Sequence, residues 1–356
     1  MADGQRARRN AGLTACHIRH MVLALFLALP VSVPLRAQIN QKSVDLCTAS
    51  NPADVVIGAC TNFIESGALQ SQSMADALTL RGLAFYQTAK YPAALADFLR
   101  AAALVPGRAE YYRHVGDARA NVLRGNDNML AITEQLEKAV EDYTRAIRLD
   151  PKDAISLVHR GVVYVSLGRV ARGLDDMNQA VTLAPDSAEP YEARGRAFNA
   201  AGAYRRAVTD FDTALSLQPG LASALLNRGT AYDRMEDYDR AIADFTELIR
   251  LVPSNAGAYN NRGTSYAKRG QTDRAIEDFD QALTLDPNLA GTYFNRAQAY
   301  YLKGNMDKAL ADFVQARQLD RQFPEPPADI YESYETQIVP DDSPVRTGPR
   351  RPFLDN

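Results

Sequence analysis

From residue 75 to about residue 321 the apolar positions recur at helical spacing in paired blocks, and the pair repeats with a period of 34 residues. Pro151, Pro185, Pro219, Pro253 and Pro287 close successive blocks. Counting that proline as position 32 divides the stretch into seven units: 75–108, 109–153, 154–187, 188–221, 222–255, 256–289 and 290–321. Position 8 is small throughout (Gly82, Gly116, Gly161, Gly195, Gly229, Gly263, Ala297). Position 11 is aromatic in six units, and position 24 is Phe98, Tyr143, Met177, Phe211, Phe245, Phe279 and Phe313. Alanine holds position 20 in all but one unit and position 27 in all but one. Small residues let two helices approach, and the rings fill the space between them. Gly168, Gly202, Gly270 and Gly304 stand at position 15, where a left-handed residue can end the first helix.

Two stretches depart from the period. Unit 109–153 is 11 residues too long, about three helical turns, so a lengthened helix keeps its phase. Met129, Ile132, Leu136, Ala139, Val140 and Tyr143 follow helical spacing and predict a long second helix beginning near Asp127. Its apolar edge at Met129, Ile132 and Leu136 is expected to pack on the next unit, the other reading being a partner or dimer surface. Upstream, the segment around Cys60 aligns with a second helix and puts Cys60 at position 24, which predicts a truncated unit within an N-terminal cap, residues 38–74. Residues 322–339 can form one capping helix, and 340–356 read as a disordered tail.

These positions resemble the tetratricopeptide repeat (TPR) family. Departures are the lack of tryptophan at position 4, Gly173 at position 20, Leu248 at position 27 and Arg119 at position 11. The resemblance implies an all-α fold, a right-handed superhelical TPR solenoid of antiparallel helix pairs, with the first helices lining a concave groove. Each pair would bury its apolar face only against its neighbours.

A charged residue recurs on the packed side. At about 100° per residue, positions 4, 7, 8 and 11 share one face of the first helix, yet position 7 is Arg81, Arg160, Arg194, Arg228, Arg262 and Arg296. An unpaired guanidinium there would cost several kcal/mol. Position 23 of the second helix is aspartate in all seven units, which predicts a ladder through Asp97, Asp176, Asp210, Asp244, Asp278 and Asp312. A basic residue at position 19 competes for the same carboxylates as an exposed i to i+4 pair worth about 0.2–0.5 kcal/mol.

If the first helices line a groove, positions 2, 5, 6, 9, 12 and 13 face a ligand. Position 6 reads Asn227, Asn261 and Asn295 in three successive units. Such a ladder resembles the groove of O-linked N-acetylglucosamine transferase, where these side chains grip an extended peptide; an amide offers both donor and acceptor. The other reading is that each asparagine satisfies a neighbouring group in the array. Asn260, Phe294, Thr264, Gln298 and Tyr301 complete the candidate peptide-binding groove, and Ile155, Val158, Val162 and Val165 read as an apolar patch in it.

Composition narrows the function. The net charge of −3 conceals a basic segment at 1–37, with five Arg against one Asp, and leaves the remainder at −7, against a nucleic-acid partner. Residues 1–37 read as a secretory signal: basic residues, an apolar run from Met21 interrupted by Pro30 and Pro34, and Ala37 as the cleavage position. The run is too short for a spanning helix, so no membrane span is expected in the mature chain. Export leaves Cys47 and Cys60 as an even pair and predicts a disulfide, the alternative being two buried thiols. Phosphate loops and metal-ligand spacings are absent, and only His114 and His159 remain beyond the leader, so neither cofactor nor catalysis is expected. The leader, the cysteine pair and the repeats together resemble TPR proteins exported to the periplasm. The expected function is an exported adaptor that holds an extended peptide or protein segment; the alternative is an envelope scaffold acting through its convex surface and long helix.

Overall fold

The computed structural model describes residues 46–67, 70–328 and 330. The expected secretory leader (1–37), the C-terminal segment 340–356 and most of the expected capping helix lie outside them. Fifteen helices and no strands make up the described residues, in two compact units divided after Val105.

In the first unit, α1 (Ala53–Glu65) packs on α2 (Ser71–Gln87), and α2 on α3 (Tyr91–Leu104). A disulfide joins Cys47 to Cys60, and both cysteines are buried. Cys60 lies on α1, the helix expected as the surviving second helix of a truncated unit. Helix α2 starts four residues before the expected unit boundary, so Ser71–Met74, expected in the cap, belong to the first repeat helix.

The second unit holds six helix pairs: α4 (Ala109–Asn121) with α5 (Met129–Leu149), α6 (Ala154–Ser166) with α7 (Val170–Leu183), α8 (Ala188–Ala200) with α9 (Tyr204–Leu217), α10 (Ala222–Arg234) with α11 (Tyr238–Leu251), α12 (Ala256–Lys268) with α13 (Thr272–Leu285), and α14 (Ala290–Leu302) with α15 (Met306–Leu319). Each second helix also packs on the first helix of the next pair. First helices touch the following first helix, whereas second helices make no comparable contact with one another. The first helices therefore form the inner side of this array.

Packing explains the repeat. A Cβ built on Gly82, Gly116, Gly195, Gly229 or Gly263 would lie 2.5–2.8 Å from the ring at position 24 of its own unit, so glycine there is what admits the aromatic. Each such ring, fully buried, contributes roughly 1.5–3 kcal/mol relative to exposure. Unit 154–187 differs: Gly161 faces Gly173, a Cβ on Gly173 would meet the Gly161 carbonyl oxygen at 2.6 Å, and the thinner Met177 replaces the ring. The departure at position 20 is thus a closer helix crossing. Position 15 adopts φ of 73 to 80° at Gly168, Gly202, Gly270 and Gly304, and the same left-handed turn is forced on Ala89 and Glu236.

The position-7 arginines do pair with position-23 aspartates. In all six rungs, sixteen residues apart, Nε donates to Oδ2 at 2.7–2.9 Å and Nη2 to Oδ1 at 2.6–2.8 Å. The third nitrogen, Nη1, reaches back to the preceding helix pair: Thr61, Thr144, Asn178, Asp212, Thr246 and Asp280 accept from Arg81, Arg160, Arg194, Arg228, Arg262 and Arg296. One guanidinium therefore ties three helices together. The competing basic residues at position 19 go elsewhere, with Arg172, Arg206, Arg240, Arg274 and Lys308 lying over the position-11 ring of their own unit, the closest being Arg206 at 4.0 Å from the Phe198 centroid. Unit 109–153 has valine at position 7, and its aspartate, Asp142, is met instead by Arg119 from the next turn, Nε to Oδ2 2.8 Å. Neither atom has an aligned hydrogen bond, and burial lifts the Asp142 carboxyl to about 6 despite the nearby guanidinium.

The long helix starts at Met129 with Asn128 as N-cap, its Oδ1 accepting from the Ala131 N–H. Leu136 packs with Ala139, Tyr143 and Val163 as expected, and Ile132 is half-buried, but Met129 is 70% exposed and Leu130 81%. The apolar edge is thus covered from Ile132 onward, and Met129 and Leu130 are left exposed. At the other terminus, Phe323 and Ile330 cover the end of the last pair, and Arg317 Nη1 donates to the Phe323 carbonyl at 3.1 Å.

Candidate functional site

The inner face of residues 106–330 carries two polar networks built on the same repeat positions. In the first, α4 and α6 come together around Asp117, at position 9 of its helix. Its Oδ1 accepts from Tyr143 Oη–H at 2.8 Å and lies 2.6 Å from His159 Nδ1, while His114 Nδ1 is 3.7 Å from Oδ2. His159 Nε2 in turn lies 3.4 Å from Glu189 Oε1 on α8. Alongside, Arg113 Nη1 donates to Asp153 Oδ2 at 2.8 Å, and Asp153 caps α6 by accepting from the Ser156 N–H and hydroxyl.

These contacts fix the charges. Burial opposes ionisation of Asp117, but the adjacent His114 ring and the hydrogen bonds from His159 and Tyr143 outweigh it and hold the carboxyl well below the usual range. Burial likewise opposes the His159 charge, yet the hydrogen bonds to Asp117 and Glu189 raise its pKa to about 9, so the ring is an imidazolium at neutral pH. The imidazolium donates from both nitrogens and sits between two carboxylates.

The second network is neutral. Asn260 on α12 is its hub: Oδ1 accepts from Thr292 Oγ1 at 3.1 Å and Asn295 Nδ2 at 3.0 Å on α14, and Nδ2 donates to Asn261 Oδ1 at 3.2 Å. Thr264 Oγ1 donates to the Asn260 carbonyl and lies 3.4 Å from Asn295 Nδ2. Between the networks, Asn227 Nδ2 donates to the Ser223 carbonyl one turn back, and Asn199 Nδ2 on α8 donates to the Asn227 carbonyl. Asp233 on α10 accepts from Ser265 and Lys268 on α12.

The sequence-predicted groove residues divide accordingly. Asn260, Asn261, Asn295 and Thr264 come together, but largely on one another; Asn227 stands apart on α10, and Gln298 is exposed. Phe294 and Tyr301, also expected in the groove, are half-buried. Phe294 stacks against Phe313 and Phe323, and Tyr301 packs on the core that Ile330 completes, because among the described residues α14 is the last first helix and the segment after α15 packs on it. The apolar patch is corrected: Val158, Val162 and Val165 pack into the core with Leu157, Met177 and Ala193, leaving only Ile155 exposed. The Asp117 cluster was not anticipated. Its trace in the sequence is His at position 6 in two successive units with Asp three residues after the first.

Comparison with known proteins agrees with this architecture. Residues 192–256, 226–290 and 260–324 match a family model described as tetratricopeptide repeat, and 128–168 match one described as TPR repeat, so these segments are tetratricopeptide repeats. The chain is similar to the solved Cut9-Hcn1 hetero-tetramer of the APC/C, at 16% identity and TM-score 0.58 over 85% of this chain and 55% of that one. It is also similar to a tetratricopeptide repeat protein from Parabacteroides merdae, at 20% identity and TM-score 0.52 over 75% of this chain and 100% of that one. The chain thus spans 55% of the length of the Cut9-Hcn1 chain it matches. Both likenesses show the fold, an all-α TPR solenoid. No curated protein matches significantly. No helix among the described residues is long and apolar enough to cross a membrane.

Proposed function

We propose that the chain is an exported adaptor that holds an extended segment of a protein partner along its inner face. The repeat fold suggests protein–protein interaction, and the supporting observation is the arrangement of that face. Successive first helices touch, and hydrogen-bonding side chains run across them from α4 to α14, so one extended chain could meet donors and acceptors of several units in turn. Periplasmic residence is part of the same proposal. It is supported by the basic and apolar pattern of residues 1–37 and by the Cys47–Cys60 disulfide, a bond that persists in oxidising compartments.

A second reading, an envelope scaffold, has one observation in its favour: Met129 and Leu130 project exposed from the free end of α5. A photo-crosslinking residue placed at Gln298 on the inner face or at Leu130 on the tip of α5, in the native envelope, distinguishes the two. Adducts with a partner from Gln298 and none from Leu130 are expected. The reverse pattern would favour the scaffold.

A further inference from the structure

Helix α8 carries two buried acceptor atoms that the protein itself leaves without an aligned donor: Glu192 Oε1 and Asn199 Oδ1. Both occupy inner-face positions, 5 and 12 of their unit, and both adjoin α10. Asn199 is held there by its Nδ2 bond to the Asn227 carbonyl, while the Glu192 carboxyl faces Ser223. Glu192 is only 8% exposed, and burial pushes its carboxyl pKa up. Leaving such an acceptor unmatched costs on the order of 1–3 kcal/mol, more when it is charged.

A single cation approaches it. Arg196, one turn on, brings Nε to 3.3 Å of Oε1 without the alignment of a hydrogen bond, and its side chain is 47% exposed. An exposed i to i+4 pair of this kind is worth a few tenths of a kcal/mol. The contrast with the ladder is direct: Arg194, two residues earlier, is bidentate on Asp210 and bonded to Asn178 as well. Arg194 is fixed, whereas Arg196 covers Glu192 loosely.

We propose that the α8–α10 stretch of the inner face recognises an arginine or lysine side chain of the extended partner segment. The partner's cation displaces Arg196 and pairs with Glu192, and a backbone N–H of the same segment is donated to Asn199. Seven residues of helix place the two acceptors about 10 Å apart, the span of three residues of extended chain. Glu189, one turn before Glu192, adds negative charge at the same end. Charge-assisted bonds are roughly twice as strong as neutral ones, which makes a cation the better match to Glu192 than an amide. This inference rests on the reading that the inner face holds an extended segment, and it adds where the segment is read and by what chemistry.

The test is selection of linear dodecapeptides from a random phage-displayed library against the full chain, repeated on Glu192→Gln and Arg196→Ala, with thermal melts to show that both variants are folded. On the wild type, peptides with arginine or lysine at one register are expected. A synthetic copy of the leading peptide should bind about tenfold more weakly to Glu192→Gln, and an equal loss should follow when its arginine is replaced by citrulline. Arg196→Ala should bind it as tightly or more tightly. Peptides selected without a basic position, or a basic preference that survives Glu192→Gln, would overturn the assignment of Glu192 while leaving the inner-face reading intact. If no peptide is selected, both fall together.

Discussion

The two polar networks on the inner face occupy equivalent repeat positions and solve the same problem in opposite ways. Around α4, α6 and α8 the position-6 residues are His114, His159 and Ala193; around α10, α12 and α14 they are Asn227, Asn261 and Asn295. An amide carries donor and acceptor together, so Asn260, Asn261 and Asn295 satisfy one another without importing charge. An imidazolium only donates, and His159 therefore requires acidic neighbours, Asp117 on one nitrogen and Glu189 on the other. The charged network is thus interdependent and pH-sensitive, whereas the amide network around Asn260 holds no titrating group. The repeat backbone therefore dictates which positions face inward, and the side chains there decide how strongly neighbouring units depend on one another.

The largest expected effect comes from removing the centre of the charged half. Asp117→Leu leaves the His159 imidazolium without its closest counter-charge and the Tyr143 hydroxyl without its acceptor, and breaking a buried charged set by deleting one partner costs about 3–5 kcal/mol. Urea unfolding of the full chain should show this as a lowered midpoint, with the α4–α6 region opening first in hydrogen exchange. A variant as stable as the parent would mean that the cluster is solvated in solution.

Titration separates the halves next. A histidine whose folded pKa is about 9 contributes stability that is complete below about 6.5 and is lost as pH rises through 9. Asp142, raised to about 6 by burial, acts in the same direction at lower pH: its protonated form is favoured by the fold, so stability falls as pH climbs from about 4 through 6. The alkaline loss is on the order of 2 kcal/mol, since His159 is 31% exposed and part of the interaction is screened. Unfolding midpoints measured from pH 4 to 10 should decline in the parent, and His159→Gln should remove the decline between pH 6 and 10. Asp142→Asn should flatten only the acid limb.

Much of this architecture was legible in the sequence, and the parts that were not have a physical reason. The Arg262–Asp278 rung and its five counterparts could be foreseen because both residues lie in one unit at a constant separation, and helical phase alone places Arg262 on the packed side. That α5 would be long followed from the 11-residue excess, but the helix takes up seven of those residues, 21 against 14 in the other second helices, and the remaining four lengthen the connection at 122–128. The Asp117–His159 contact was hidden, since these residues are 42 apart, and the insertion in α5 breaks the period across which they would be compared. The packing of Phe294 was hidden for a different reason. Position 5 faces inward in a continuous array, but α14 is its final first helix, and Phe323 from the C-terminal segment packs there. Periodicity predicts interior units well and terminal ones poorly, because an end has a different neighbour.

The neutral half should break in smaller pieces. Asn260→Ala removes the acceptor shared by Thr292 and Asn295 and should cost about 1–2 kcal/mol, with no change between pH 6 and 10. Loss of pH independence in that variant would show that the two networks communicate.

Asn227 gives the smallest effect and the sharpest boundary between the halves. It shares its repeat position with Asn261 and Asn295, yet its side-chain nitrogen donates only to the Ser223 carbonyl of its own helix, while its link to α8 runs through its backbone carbonyl. Asn227→Ala keeps that carbonyl in place and should alter stability by no more than about 0.5 kcal/mol, the range of a surface substitution. Asn295→Ala, the same change at the equivalent position, deletes bonds that cross to α12 and should cost more, by about 0.5–1.5 kcal/mol. Equal losses from the two would show that Asn227 also bonds across units in solution, and the boundary between charged and neutral networks would then lie nearer α8 than α10.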